Sequence, residues 1–228
     1  MITFEGFFKM ESNITIGLRR NMIDELVGHL SGFGISHYEK VLQIMGQIPR
    51  HIFAPIGFER MAYEIAPVLI DEDQTMSSPL TVALQTIVLN PQPTDKILEI
   101  GTGSGYQASV LSFLCKEVYT LERHKILHEK SKSFFKEMKM KNVFPFLKDG
   151  FEGLAAQAPF DKIIITCGAD FVPDTLLSQL KKGGEMIIPL NDSDTNYMKR
   201  IIKLNKNEYY EERFDGFQFV PMLKGINF

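Results

Sequence analysis

Lys96-Ile97-Leu98-Glu99-Ile100 is a short apolar run that ends on Gly101-Thr102-Gly103-Ser104-Gly105, and a helix-compatible segment follows from Tyr106 to Leu114. Few folds accommodate a strand that turns on glycines into a helix. Glycine lets the backbone take positive φ and lets a ligand approach the main chain, while a following helix start offers free amides. The turn therefore predicts a strand of a parallel α/β sheet with a nucleotide-like ligand at its end.

The flanking segments agree with such a sheet. Apolar runs at 117–121 (EVYTL), 143–147 (VFPFL), 162–166 (KIIIT) and 185–190 (EMIIPL) alternate with longer mixed stretches, the pattern of strand and helix alternation. A helix is expected from Asp174 to Leu180, stopped by Gly183-Gly184. Pro145 removes a ladder donor, which puts VFPFL at an edge or a bulge. Segments around 198–204, 207–213 and 217–223 predict strands joined by turns, an antiparallel edge. Towards the N-terminus, Leu18, Met22, Leu26 and Leu30 predict an amphipathic helix ending near Gly32 and Gly34. Ser36-His37-Tyr38-Glu39 fits a capping box opening a second helix over 37–48. Prolines and polar residues from Pro49 to Pro79 predict an extended, loop-rich passage.

This reads as one α/β domain over 1–228, with a mostly parallel sheet flanked by helices, an N-terminal helical extension and an antiparallel C-terminal part. Residues 1–78 form the helical and substrate-cleft segment, 79–190 the ligand-binding core and 191–228 the C-terminal strands. With 228 residues, 44% of them hydrophobic, a single sizeable core is expected. The net charge of −3 gives no basic excess, so no nucleic-acid partner is expected. Cys115 and Cys167 lie far apart, without a CxxC or Cys/His cluster, which predicts reduced thiols and no metal. No run of 18 apolar residues and no leader-like segment is found, so no membrane association and a cytoplasmic location are expected.

The glycine spacing is GxGxG, and Tyr106 stands where a dinucleotide fingerprint needs its last glycine. No lysine follows in the phosphate-loop pattern. Glu99 sets negative charge where a pyrophosphate would lie, which suits a ligand with a cationic portion. The ammonium and sulfonium of S-adenosylmethionine meet that requirement. Glu122 ends the next strand about twenty residues on, where a carboxylate can accept both hydroxyls of a ribose. Asp149-Gly150 makes a polar turn after the third strand, so acids or polar turns mark one rim of the sheet.

Gln74-Thr75-Met76-Ser77-Ser78-Pro79-Leu80 introduces another helix. Ser78 before Pro79 predicts an N-cap with proline at the first helical position. Leu80, Ala83, Leu84, Ile87 and Val88 would form its buried stripe. Ser77 then lies just outside the cap, where the helix dipole favours a carboxylate by about 0.3–1 kcal/mol.

Together these residues resemble the protein-L-isoaspartate O-methyltransferases. The similarity spans about 17–225 and rests on Pro49-Arg50-His51-Ile52-Phe53, Ala62-Tyr63-Glu64, Gln74 to Pro79, Leu98 to Gln107, Tyr119 to Arg123, Asp149-Gly150 and Phe219-Val220-Pro221. The resemblance implies a Rossmann-like S-adenosylmethionine-dependent methyltransferase with an unusual strand order near its C-terminal end. It implies Ser77 as the catalytic-site serine and isoaspartyl proteins and peptides as substrates. Cofactor contacts are implied on Glu99, Gly101, Thr102, Gly103, Ser104, Gly105, Gln107, Glu122, Asp149 and Gly150. Thr75, Met76, Thr166 and Gln218 are the implied substrate contacts, and a monomer is expected.

Methylating a carboxylate needs no general base, because the nucleophile is already ionised at neutral pH. Ser77 is therefore expected to orient the substrate without a covalent role. The methyl ester then loses methanol readily when the neighbouring backbone nitrogen attacks its carbonyl, giving a succinimide whose hydrolysis returns some normal linkage. The chain departs from the family pattern at Lys148, at Cys167-Gly168 and at Gln218. Two alternatives stay open: a catalytically weak or inactive cofactor-binding homologue, and a methyltransferase for another carboxylate or a small molecule. His51 reads as a hydrogen-bonded structural histidine, Cys167 as a small inert core thiol, and Phe134, Phe135 and Met138 as the core face of a helix.

Overall fold

The computed structural model describes residues 12–32, 37–191, 196–216 and 219–228. Helix α1 (Asn13–Gly32) buries Met22, Leu26 and Leu30, the stripe the sequence predicts, with Leu18 packed partly against it. Helix α2 (Glu39–Met45) is shorter than predicted. Gly46 closes it, its amide returning 2.7 Å to the Leu42 carbonyl, before Pro49 is reached. Its cap is Tyr38, without a side-chain capping bond, and Ser36 of the predicted capping box lies outside the described residues. The passage to Pro79 holds two short 3-10 turns, Arg50–Phe53 and Met61–Tyr63, and a small hairpin of β1 (Val68–Leu69) and β2 (Thr75–Met76).

Helix α3 (Pro79–Leu89) starts at the Ser78 cap, whose hydroxyl accepts from the Thr81 amide at 3.2 Å. The predicted cap is therefore correct, whereas the predicted stripe is too narrow. Val82, Gln85, Thr86 and Leu89 are as buried as Ala83 and Leu84, while Leu80, Ile87 and Val88 are only partly covered. The reason is position: α3 touches α1 and α2 on one side and strands of the main sheet on the other.

Seven strands make that sheet: β3 (Lys96–Ile100), β4 (Glu117–Glu122), β5 (Val143–Leu147), β6 (Phe160–Ile165), β7 (Leu180–Asn191), β8 (Asn196–Asn205) and β9 (Glu208–Asp215). Their order is β5-β4-β3-β6-β7-β8-β9, parallel from β5 through β7 and antiparallel for the last two, which add in chain order. Helices α4 (Tyr106–Ser112), α5 (Lys125–Glu137) and α6 (Asp174–Gln179) connect parallel strands. VFPFL is the outermost strand, so Pro145 costs the sheet no ladder partner on its free side.

Two predictions fail here. Gly183-Gly184 do not stop α6, which ends at Gln179; they lie inside β7, where Gly183 takes φ +76° and the pairing with β6 shifts register. Glycine supplies a bulge instead of a helix end. The segment 217–223 forms no strand over its described part. Residues 219–223 carry one bridge, Pro221 to Gly168, and a proline there has no amide to extend a ladder.

Strand side chains alternate between faces, and each face has its own core. Ile97, Val118, Ile164 and Ile187 pack with α1 to α5, while Leu98, Ile100, Leu121, Ile163 and Ile165 pack with Leu176 and Met222. Glu99 shares the Ile97 face and is fully buried. Phe135 and Met138 are buried and Phe134 packs partly against the same core, as predicted. Among the described residues no helix is long and apolar enough to cross a membrane.

Candidate active site

In an open α/β sheet ligands sit beyond the carboxyl ends of the strands, where the order reverses. Here the reversal falls between β3 and β6, and Ile100 stands level with Leu121 on one neighbour and Ile165 on the other. Gly101 and Thr166, which follow β3 and β6, and Glu122, the last residue of β4, consequently meet at one rim. They line a cleft of about 870 Å³, open solvent included, together with Thr75, Met76 and Ser77.

The glycine turn is shaped by both conformation and crowding. Gly101 has φ +97°, and a Cβ there would stand 2.5 Å from the Thr166 hydroxyl, which itself donates to the Gly101 carbonyl at 2.7 Å. Gly105 has φ +87° and serves the fold: a Cβ would press on Phe135 of α5 at 2.9 Å. It is not on the cleft wall, whereas Gly101, Thr102, Gly103, Ser104 and Gln107 are.

Glu122 is buried, and its two oxygens accept from the Gly103 amide at 2.8 Å and the His124 amide at 2.9 Å. A carboxylate oxygen has two lone pairs, so each keeps one for a ligand. That leaves a pair of acceptors on the cleft wall, the arrangement a ribose diol needs.

Other acceptors have no partner among the described residues: both oxygens of Glu99 and the Oε1 atoms of Gln85 and Gln107. The amide orientations follow from their partners. Gln85 donates to the Ile165 carbonyl at 2.9 Å, and a carbonyl can only accept. Thr86 spends its proton on the Val82 carbonyl, so Gln107 must donate to the Thr86 hydroxyl at 2.9 Å. Both Oε1 atoms are thereby left as acceptors on cleft-lining residues. Burial pushes the Glu99 carboxyl up to about 8, the nearby Thr120 hydroxyl opposes the rise, and the charge of Glu122 adds to it. An unpartnered buried acceptor costs about 1–3 kcal/mol. Such a set fits a ligand bearing N–H donors and positive charge, as S-adenosylmethionine does.

A second wall is the QTMSS segment. Strand β2 carries Thr75 and Met76 to the rim, and Ser77 lines the cleft half-buried before the α3 cap. The C-terminal residues close a third side. Gly168 exchanges backbone bonds with Val220 and Met222 at 2.7 and 2.6 Å, and Val220 to Leu223 face the cleft.

Most predicted site residues therefore converge, with four exceptions, of which Gly105 is the first. Glu99 lies behind the cleft wall. Asp149 is not on it either, its carboxylate accepting from the Phe151 amide at 2.8 Å and the Gly225 amide at 2.6 Å, although Gly150 and Lys148 line the cleft. Gln218 lies outside the described residues. Cys167, predicted as a core thiol, lies on the wall instead, half-buried, with burial pushing its thiol up to about 12. His51 bonds the Tyr63 hydroxyl at 2.7 Å, as a structural histidine does. Sequence reasoning missed Gln85, whose signal was a lone amide inside the apolar helical run TVALQTIVL.

The family described as Protein-L-isoaspartate(D-aspartate) O-methyltransferase matches residues 21–227. A relative of that name from Cytophaga hutchinsonii is 44% identical over 213 residues, covering 93% of this chain and 94% of its own. One from Christiangramia forsetii is 43% identical over 189 residues, covering 83% and 88%. A solved protein-L-isoaspartate O-methyltransferase superimposes with a TM-score of 0.77 at 25% identity, over 90% of this chain and 67% of that one. A Plasmodium falciparum beta-aspartate methyltransferase, solved with S-adenosyl-L-homocysteine, gives 0.74 at 24% identity, over 88% and 98%. Sheet, glycine turn and rim define a Rossmann-like methyltransferase. Within that class, the chain belongs to the protein-L-isoaspartate O-methyltransferase family.

Proposed function

We propose that this protein transfers a methyl group from S-adenosylmethionine to the free carboxylate of L-isoaspartyl residues in damaged proteins and peptides. The observation that carries this reading is the cleft itself: an acceptor-lined wall for a cationic cofactor faces Ser77 at a helix N-terminus. The cofactor supplies an electrophilic methyl on a sulfonium. Glu122 holds the ribose hydroxyls, and Gln85, Gln107 and Glu99 receive the ammonium end. Gly101 to Ser104 and Gly150 give the backbone surface against which the nucleoside lies, and Asp149 ties the turn after β5 to the C-terminal residues.

On the substrate side, Ser77 donates to the isoaspartyl carboxylate at the positive end of α3. Thr75, Met76 and Thr166 shape the remainder of that subsite, with Gln218 assigned to it by the resemblance. The carboxylate is already a nucleophile at neutral pH, so positioning carries the rate, worth up to about 7–11 kcal/mol. Once the ester is released, the adjacent backbone nitrogen attacks its carbonyl, methanol leaves, and the succinimide hydrolyses in part to a normal aspartyl bond. The chain acts as one domain. Two unpaired thiols accord with a cytoplasmic location, and we take the protein to act as a monomer.

Two peptides that differ only in an aspartyl or isoaspartyl linkage test the reading, each incubated with methyl-labelled S-adenosylmethionine. Base-labile label is expected on the isoaspartyl peptide alone. Equal labelling of both, or labelling of neither, overturns it.

A further inference from the structure

The serine assigned above to substrate sits on a loop, yet a rate that depends on positioning needs a loop that does not move. Its backbone has an unusual anchor. Arg50, in the first 3-10 turn, is fully buried. Its Nε donates to the Ala62 carbonyl at 2.7 Å, its Nη2 donates to the Ser77 carbonyl, and its guanidinium carbon lies 4.5 Å above the ring of Tyr106. Tyr106 is the first residue of α4, directly after the glycine turn.

The Ser77 carbonyl is the acceptor that the local chain does not satisfy. The Ser78 carbonyl takes the Val82 amide at 3.1 Å, the first bond of α3, and the Ser78 hydroxyl takes the Thr81 amide. Ser77 lies one residue earlier, beyond the helical ladder. Because the peptide group is planar, holding its oxygen also fixes the peptide plane joining Ser77 to Ser78. Ser77 is then clamped on its C-terminal side by two bonds of different origin.

We propose that Arg50 is the positioning residue for Ser77, its planar fork tying the serine's backbone to the turn that opens α4 and so setting the hydroxyl relative to the bound methyl donor. This rests on the reading of Ser77 given above. Burial draws the Arg50 guanidinium down to about 10, which leaves it charged at neutral pH. A lysine could keep the charge but could not serve two carbonyls and lie flat on a ring at once. The guanidinium of PRHIF thereby joins three segments distant in sequence, AYE, QTMSS and GTGSGY.

The test is a double-mutant cycle with Arg50→Lys, Ser77→Ala and the pair, reading kcat and KM on an isoaspartyl peptide, S-adenosylhomocysteine affinity by calorimetry, and Tm. Arg50→Lys should lower kcat about tenfold or more with cofactor affinity within about threefold, and should add little to the loss already caused by Ser77→Ala. Multiplying losses in the pair, wild-type turnover in Arg50→Lys, or cofactor affinity falling in step with kcat would each overturn the role. The wild-type protein offers a check that survives a variant failing to fold. Nitrogen-15 arginine spectra should show a guanidinium with protected, slowly rotating N–H groups and nuclear Overhauser contacts to the Tyr106 ring, which set it apart from buried Arg19, and rapid exchange of that guanidinium would refute the fork. If wild-type protein labels no isoaspartyl peptide, it is the functional reading that fails.

Discussion

The two walls of the cleft satisfy their polar groups in opposite ways. On the QTMSS wall the backbone is engaged: Ser78 caps α3 and Arg50 holds the Ser77 carbonyl. On the wall formed by the glycine turn and the face of α3, and behind it at Glu99, four acceptor atoms of Glu99, Gln85 and Gln107 have no partner among the described residues. A wall whose bonds are made within the protein keeps its shape before any ligand arrives. One that buries acceptors at a cost recovers that cost only when a donor binds. The first is suited to orienting a substrate that comes and goes, the second to holding a cationic cofactor tightly.

Glu122 gives the largest expected break between the walls. Glu122→Ala removes an acceptor for two amides of the turn as well as for the ligand. Hydrogen bonds to a charged group are worth about 1.5–3 kcal/mol each, so S-adenosylhomocysteine affinity should fall about a hundredfold or more. Calorimetry checks this, and the KM for peptide at saturating cofactor should move far less. A comparable loss on both axes would mean that the walls are not separate.

A pH series tests the same contrast. The buried Glu99 carboxyl has its pKa raised to about 8 from an ordinary value of 4.5. The folded protein without ligand therefore binds more protons than the unfolded chain between these values, and Glu99's contribution to stability falls as pH rises across that window. Cofactor binding has the opposite slope. An ammonium near Glu99 favours its ionised form, so binding below about pH 8 releases a proton and strengthens with pH, by at most about tenfold per unit. Calorimetry in buffers of different ionisation enthalpy counts the proton, and Glu99→Gln should abolish the release. Release that persists in the variant would assign the proton to another group.

How much of this was legible depends on the range of the interaction. The glycine turn, the Ser78 cap and the edge position of Pro145 are local consequences of φ, of a missing amide or of one hydroxyl, and each was readable. The register that brings Gly101, Glu122 and Thr166 level is set by strand pairing across many residues and was legible only as three polar strand ends. Arg50 was visible as a motif residue, yet no pattern in PRHIF states that its fork reaches 27 residues ahead to Ser77. Gly183-Gly184 misled because a bulge and a helix stop draw on the same conformational freedom. The bond from the Gly225 amide to Asp149 was not legible either, because the two residues stand 76 apart in the chain.

The smallest expected effect separates the two walls most finely. Gln85 belongs to α3, the helix whose N-terminus frames Ser77, yet its unpartnered oxygen belongs by chemistry to the cofactor wall. Gln85→Met keeps the length of the side chain and removes the acceptor, along with the bond to the Ile165 carbonyl. A bond to a charged donor is worth at least about 1.5 kcal/mol, so S-adenosylhomocysteine affinity should weaken about tenfold. 5′-Methylthioadenosine lacks the amino-acid end and should bind both proteins alike. Equal weakening of the two ligands would mean that the substitution deforms the cleft as a whole. Unchanged cofactor affinity with a raised peptide KM would move Gln85 to the substrate side, and the boundary between the walls would then run through the middle of α3.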